Sequence, residues 1–132
     1  RLFPWRHAPT PLAVLPADIA RATGARRRIV TVDDDALGHN PSHHLAPWEW
    51  AKLQQLLDVG EVRVRESDGA ILVFVPRDGT GRGWWYAVVH PSDDGGRAGT
   101  LMRAPLRYIT GQRLRGRLVR EWSGEIVADG RP

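Results

Sequence analysis

The spacing of apolar positions changes character near residue 60. Upstream it is helical. Ala17, Ile19, Ala20 and Ala22 follow Pro16 and run up to Gly24, which predicts a short helix with a glycine stop. Ile29 to Val32 reads as a short extended segment. Asp33, Asp34 and Asp35 then resemble an acidic N-cap cluster ahead of Ala36 and Leu37, in a helix kept brief by Gly38 and Pro41. Pro47 opens the longest predicted helix, Trp48 to Val59, with Trp48, Leu53, Leu56 and Leu57 on one stripe and Gly60 at its end.

Downstream the period becomes that of strands. Val62 and Val64 alternate with Arg63 and Arg65, and Ser67-Asp68-Gly69 is a hairpin signal. Ile71 to Val75 and Trp84 to His90 follow as apolar strands, with a glycine-rich turn around Arg77 to Gly81. Pro91 to Gly99 reads as a polar loop. Thr100 to Tyr108 reads as a fourth strand distorted by Pro105, and Gly111 to Val127 as one more hairpin turning at Ser123-Gly124. Helices followed by a meander predict an α+β class, with short N-terminal helices packed on an antiparallel sheet of about four to five strands.

Four prolines in residues 1–16 leave few helix-competent windows, so that stretch reads as an extended arm or linker end. Residues 17–127 then form a single domain and 128–132 a tail, in keeping with a total of 132 residues. The first residue is Arg1, which suggests a chain processed or cut from a longer parent polypeptide. No signal-peptide pattern precedes the domain, and no apolar run approaches the roughly 18 residues of a membrane span. The expected setting is therefore a bacterial host cytoplasm or a virion. The absence of cysteine removes thiolate catalysis, disulfides and cysteine-based metal sites.

The net charge of +4 points to an anionic partner, with nucleic acid first. The basic residues are almost all arginine, with Lys52 the one lysine, a bias that GC-rich coding also produces.

Candidate chemistry falls in four places. His39, His43 and His44 form a dense cluster suited to acid–base work or, on His39/His43 spacing, to a metal on a helix. Pro41 between them opposes that helix, and a polar loop capping the next helix fits equally. No metal or other cofactor is expected. His90 ends the third strand on the same face as Trp84, Tyr86 and Val88. Thr100, Arg103 and Arg107 share the fourth strand, where Arg103 and Arg107 have matching parity and suit a phosphate, and Arg63 with Arg65 makes a second arginine pair. Trp48, Trp50, Trp84, Trp85 and Tyr86 suit either base stacking or the core. The stretch from Gly79 to Gly83 lacks the Lys-Ser/Thr ending of a phosphate loop and reads as a turn.

The order LPADIARATG, IVTVDDDALGHNPSHHL, WEWAKLQQLLDVGEV, ILVFVPRDG, WWYAVVH, GTLMRAPLR resembles the phage members of the Barnase–EndoU–colicin–RelE nuclease superfamily. Such domains are often found at the C-terminal end of head-morphogenesis proteins of the Mu F type. The resemblance covers roughly residues 12 to 108. It implies helices on an antiparallel sheet and metal-independent RNA cleavage, in which the ribose 2′-hydroxyl attacks the adjacent phosphorus. The family's histidine before the long helix falls on His43 or His44, with His44 favoured. The lysine that commonly ends the third strand is replaced by His90. The threonine- and arginine-bearing fourth strand falls on Thr100 and Arg103.

Three functions follow as expectations. The first is an endoribonuclease, phage-associated or a toxin, with His44 and His90, assisted by His43, in proton transfer. Arg103, Arg107, Arg63, Thr100 and Tyr86 would be on the RNA. The second is an inactive nuclease fold docking in a phage head or portal assembly. The third is a nucleic-acid binding domain without turnover.

Overall fold

The computed structural model describes residues 10–33, 47–92 and 95–128. The elements in chain order are β1 (Thr10–Val14), α1 (Ala17–Thr23), β2 (Ile29–Val32), a 3-10 turn (Pro47–Lys52), α2 (Leu53–Val59), β3 (Glu61–Arg65), β4 (Ile71–Pro76), β5 (Gly83–Ser92), β6 (Gly95–Pro105), α3 (Leu106–Arg113) and β7 (Gly116–Arg120). The class is α+β, as the pattern predicts. The sheet is larger than four to five strands: seven strands run in the order β1-β2-β6-β5-β4-β3-β7. It is also mixed, because β2 lies parallel to β6 while the other neighbouring pairs are antiparallel.

The extra strands sit at the edges. Thr10–Val14 belongs to the sheet and not to an arm, pairing with β2 through a register break between Pro11 and Ala13. Proline is tolerated there because an outermost strand needs only one of its two rows of amide donors. The expected fourth strand (Thr100 to Tyr108) and the hairpin after it (Gly111 to Val127) divide differently: Pro105 ends β6, Leu106–Arg113 is helical, and Gly116–Arg120 is extended, against β3. Arg107 is therefore a helix residue, and its strand parity with Arg103 does not exist. The loop predicted over Pro91 to Gly99 is shorter, since β5 and β6 pair as far as Ser92 and Gly95.

Two apolar clusters cover the two faces of the sheet. The larger holds Ile19 and Ala20 of α1 and Leu53, Leu56 and Leu57 of α2, packed on Val73, Val75, Trp85, Ala87, Val89 and Leu101. The smaller holds Leu72, Phe74, Tyr86, Val88 and Ala104, covered by Ile109 of α3. β4 is buried along its whole length because both of its faces are covered.

The helix entry after residue 46 departs from the expected stripe. Pro47–Lys52 is a 3-10 turn, with about three residues per turn. That geometry aligns Trp50 with Leu53 at the core and leaves Trp48 outside: Trp50 is 1% exposed and Trp48 45%. Gly24 takes a left-handed conformation, φ 72°, and caps α1 as its position suggests. Among the described residues no helix is long and apolar enough to cross a membrane.

Candidate functional site

On the α3 face, β5 and β6 leave part of the sheet uncovered. The result is a depression of about 250 Å³ whose lining includes Arg65, Tyr86, His90, Thr100, Tyr108 and Gln112, with Arg115 at its rim. Alternation along β5 puts Tyr86, Val88 and His90 on this face. Thr100 joins them because it pairs with Val88 across the strands.

A bulge sets the position of His90. The β5–β6 register shifts between Val88 and Val89, which pair with Thr100 and Ala98, so Gly99 is the extra residue. The imidazole rests on Gly99: a Cβ there would stand 2.8 Å from both Cδ2 and Nε2 of His90. Any side chain at residue 99 thus competes with the ring for one space. On the other side of His90 lies a second depression, lined by Thr31, Asp33 and Arg97 among others.

The floor is Tyr86, whose hydroxyl donates to Gln112 Oε1 at 3.3 Å. Its ring stands 5.4 Å from Phe74 and edge-on to Tyr108 at 5.6 Å. Burial, then the neighbouring Tyr108, pushes the Tyr86 hydroxyl up to about 12. It is therefore a neutral donor and not a base at physiological pH.

Two guanidiniums flank this floor. Arg65 forks onto Asp68 at 2.9 and 2.8 Å, and the Ala70 amide donates to the same carboxylate at 3.0 Å. These hydrogen bonds hold the Asp68 carboxyl well below the ordinary range, with His90 adding to the effect. Arg115 is placed by its backbone: its carbonyl accepts from the Glu66 amide at 3.1 Å and its amide donates to the Gln112 carbonyl at 3.1 Å. Among the described residues no carboxylate pairs with the exposed Arg115 side chain.

The structure brings together Tyr86, His90 and Thr100, and with them Arg65 of the second arginine pair. It separates the other arginines. Arg103 points to the opposite face, pairing with buried Glu49 at 2.9 Å and stacking on Trp85 with its guanidinium 4.8 Å from the ring centre. Arg63 is held by Glu61 at 2.9 Å and donates to the Gly116 carbonyl at 3.1 Å, outside the lining. Arg107 is exposed on α3. His39, His43 and His44 lie outside the described residues.

Tyr108, Gln112 and Arg115 are additions, brought in by α3 and the turn after it. Pro105 is the signal for that helix, since proline suits a helix start and leaves a strand without a donor. Glu61 fixes α3 to the sheet by accepting from Arg113 at 2.8 and 2.7 Å while also holding Arg63.

Compared with protein-family models, with curated proteins and with solved structures, the chain has no match.

Proposed function

We propose that the His90 depression binds and cleaves RNA without a metal, as a nuclease of the Barnase–EndoU–colicin–RelE type. The observation that supports this reading is the convergence of His90, Thr100, neutral Tyr86 and the uncommitted Arg115 on one small concave surface. Cleavage inside RNA needs few groups. The 2′-hydroxyl gives a proton to a base as its oxygen bonds to phosphorus. The bond from phosphorus to the 5′-oxygen breaks, and that oxygen takes a proton from an acid. A cation and neutral donors stabilise the added charge on the non-bridging oxygens.

His90 is the proton-transfer group at the depression, and His44 is the candidate for its counterpart. Arg115 supplies the cation, with Arg65 at the edge and Thr100 and Tyr108 offering hydroxyls. This division of labour accounts for the departure from the family pattern at residue 90. The strand end holds an imidazole in place of a lysine, and positive charge comes instead from arginines. The one lysine, Lys52, lies on the other face, 5.6 Å from the Trp85 ring.

Purified protein incubated with labelled RNA and with single-stranded DNA, with and without EDTA, tests the proposal. Cleavage of RNA alone, resistant to EDTA and lost in His90→Ala and Arg115→Ala, is the expected result. Full cleavage by both variants would contradict it.

A further inference from the structure

We propose that the second depression beside His90 is a nucleotide subsite, an assignment that rests on His90 as the place of cleavage. In it Arg97 holds the phosphate next to the one cleaved, and Asp33 favours a base that carries an exocyclic amine. The basis is a row of residues in register across three strands. His90 of β5 stands opposite Arg97 of β6, and Arg97 stands beside Thr31 of the parallel strand β2. Directly paired residues share a sheet face, and neighbouring strands lie about 4.8 Å apart. The row therefore steps sideways from an imidazole to a guanidinium and then to a hydroxyl. Asp33, two residues past Thr31, joins the same lining.

His90 belongs to both depressions. A strand with its scissile phosphate at the imidazole thus has one neighbour over Tyr86 and Thr100 and the other over Arg97. The space on the Arg97 side is about 350 Å³, within the range of small-ligand clefts. Arg97 and Asp33 approach to 3.9 Å, with side chains 60% and 43% exposed. An exposed pair at that distance is weak, so both groups keep hydrogen-bonding capacity for a ligand. The guanidinium only donates and suits a phosphate, whereas the carboxylate only accepts and suits N–H donors. Asp33 repels a phosphate, so the base and not a second phosphate belongs at its end of the depression. Adenine, cytosine and guanine each offer an exocyclic amine, while uracil offers a single ring N–H. Among the described residues the lining holds no tryptophan, tyrosine or phenylalanine, so selection there rests on hydrogen bonds and not on stacking.

Binding is read with strands that the proposed reaction cannot cut. These are 2′-O-methyl tetranucleotides, one all-uridine and the others with adenosine at each position in turn, titrated by NMR at several salt concentrations. One position should prefer adenosine over uridine about tenfold. Asp33→Ala should abolish that preference. Loss of its charge without a base contact would instead strengthen every strand equally, which would overturn the role of Asp33. Arg97→Ala should weaken every strand and reduce the slope of log affinity against log salt by about 0.7. The adenosine preference should survive it. Both side chains are open to solvent, so melting curves should match the unchanged protein. Equal binding of all the strands by the unchanged protein, or an unchanged salt slope in Arg97→Ala, would overturn the subsite. Cleavage is scored separately on ordinary RNA. RNA cut by the unchanged protein while both variants bind as it does would remove the subsite alone. The expected binding effects without any cleavage would retain the subsite and overturn the reaction assigned to His90.

Discussion

Trp85 and Tyr86 are consecutive in β5 and almost fully buried, at 0% and 1% exposure, on opposite faces of the sheet. Trp85 faces the larger cluster and is ringed by Arg103, Lys52 and Arg77. Tyr86 faces α3 and floors the depression beside His90. One step along a strand thus divides the candidate chemistry of the chain into two surfaces. His90 and Tyr86 share a face because they are four residues apart, and Arg103 is excluded because its partner across the strands is Trp85.

Tyr86 makes the first prediction. The protein has two tyrosines, so Tyr108→Phe leaves Tyr86 as the only source of tyrosinate absorbance. Burial is the main cause of its shift and survives that substitution. Absorbance should rise near pH 12 and not near the ordinary 10.0. The neutral form is the one the fold favours. Its contribution to stability is present in full below pH 10.0 and is lost as the pH rises through about 12. A rise centred at 10 in folded protein would show that the hydroxyl is open to water.

Glu61 joins two arginines from different elements, Arg63 of β3 and Arg113 of α3. Its side chain is 10% exposed, whereas Arg113 is 37% exposed, so solvent screens part of the interaction. Glu61→Ala should lower unfolding free energy by about 2 kcal/mol, since it strands both cations. Urea denaturation measures this. Cleavage should fall too, because α3 carries Gln112 and leads into Arg115. A loss below about 0.5 kcal/mol would mean that Ile109, with the contacts of Tyr108 and Gln112 to Tyr86, suffices to hold the helix.

Two glycines separate site effects from fold effects. Gly99→Ala puts a methyl group where the His90 ring lies, with no positive φ to strain. RNA cleavage should drop at least tenfold while the melting temperature moves little. Retained activity would show that the ring's seat on the bulge is unimportant. Gly111 lies inside α3 with nothing near its Cβ direction. Gly111→Ala should stabilise the protein by about 0.5–1 kcal/mol and leave cleavage unchanged. Destabilisation in the melting curve would contradict the helical assignment of that segment.

Much of the sheet's centre was legible in the sequence, because β3, β4 and β5 carry either strict alternation or short apolar runs. Tyr86, His90 and Thr100 were found for the same reason: parity along one strand and pairing with the next are local rules. The misses are non-local. Whether Thr10–Val14 joins the sheet depends on β2, a partner supplied by residues past α1, and Pro11 obscures it. In α3 only Ile109 is buried, and Ile109, Thr110 and Gly111 are poor helix formers, so neither periodicity nor propensity announces the helix. Residue type and an expected strand parity with Arg107 put Arg103 with the phosphate binders, but the aromatic face of Trp85 and the carboxylate of Glu49 decide where it points. The parallel β2–β6 pairing leaves no local trace at all.

The central claim is that the His90 depression cleaves RNA, and one assay tests it most directly. Labelled RNA is incubated in EDTA with the unchanged protein and with His90→Ala. The products are examined for the 2′,3′-cyclic phosphate ends that attack by the 2′-hydroxyl must leave. The account predicts cyclic ends from the unchanged protein and none from the variant. Cleavage by the variant at the unchanged rate, or no cleavage by either protein, would contradict it.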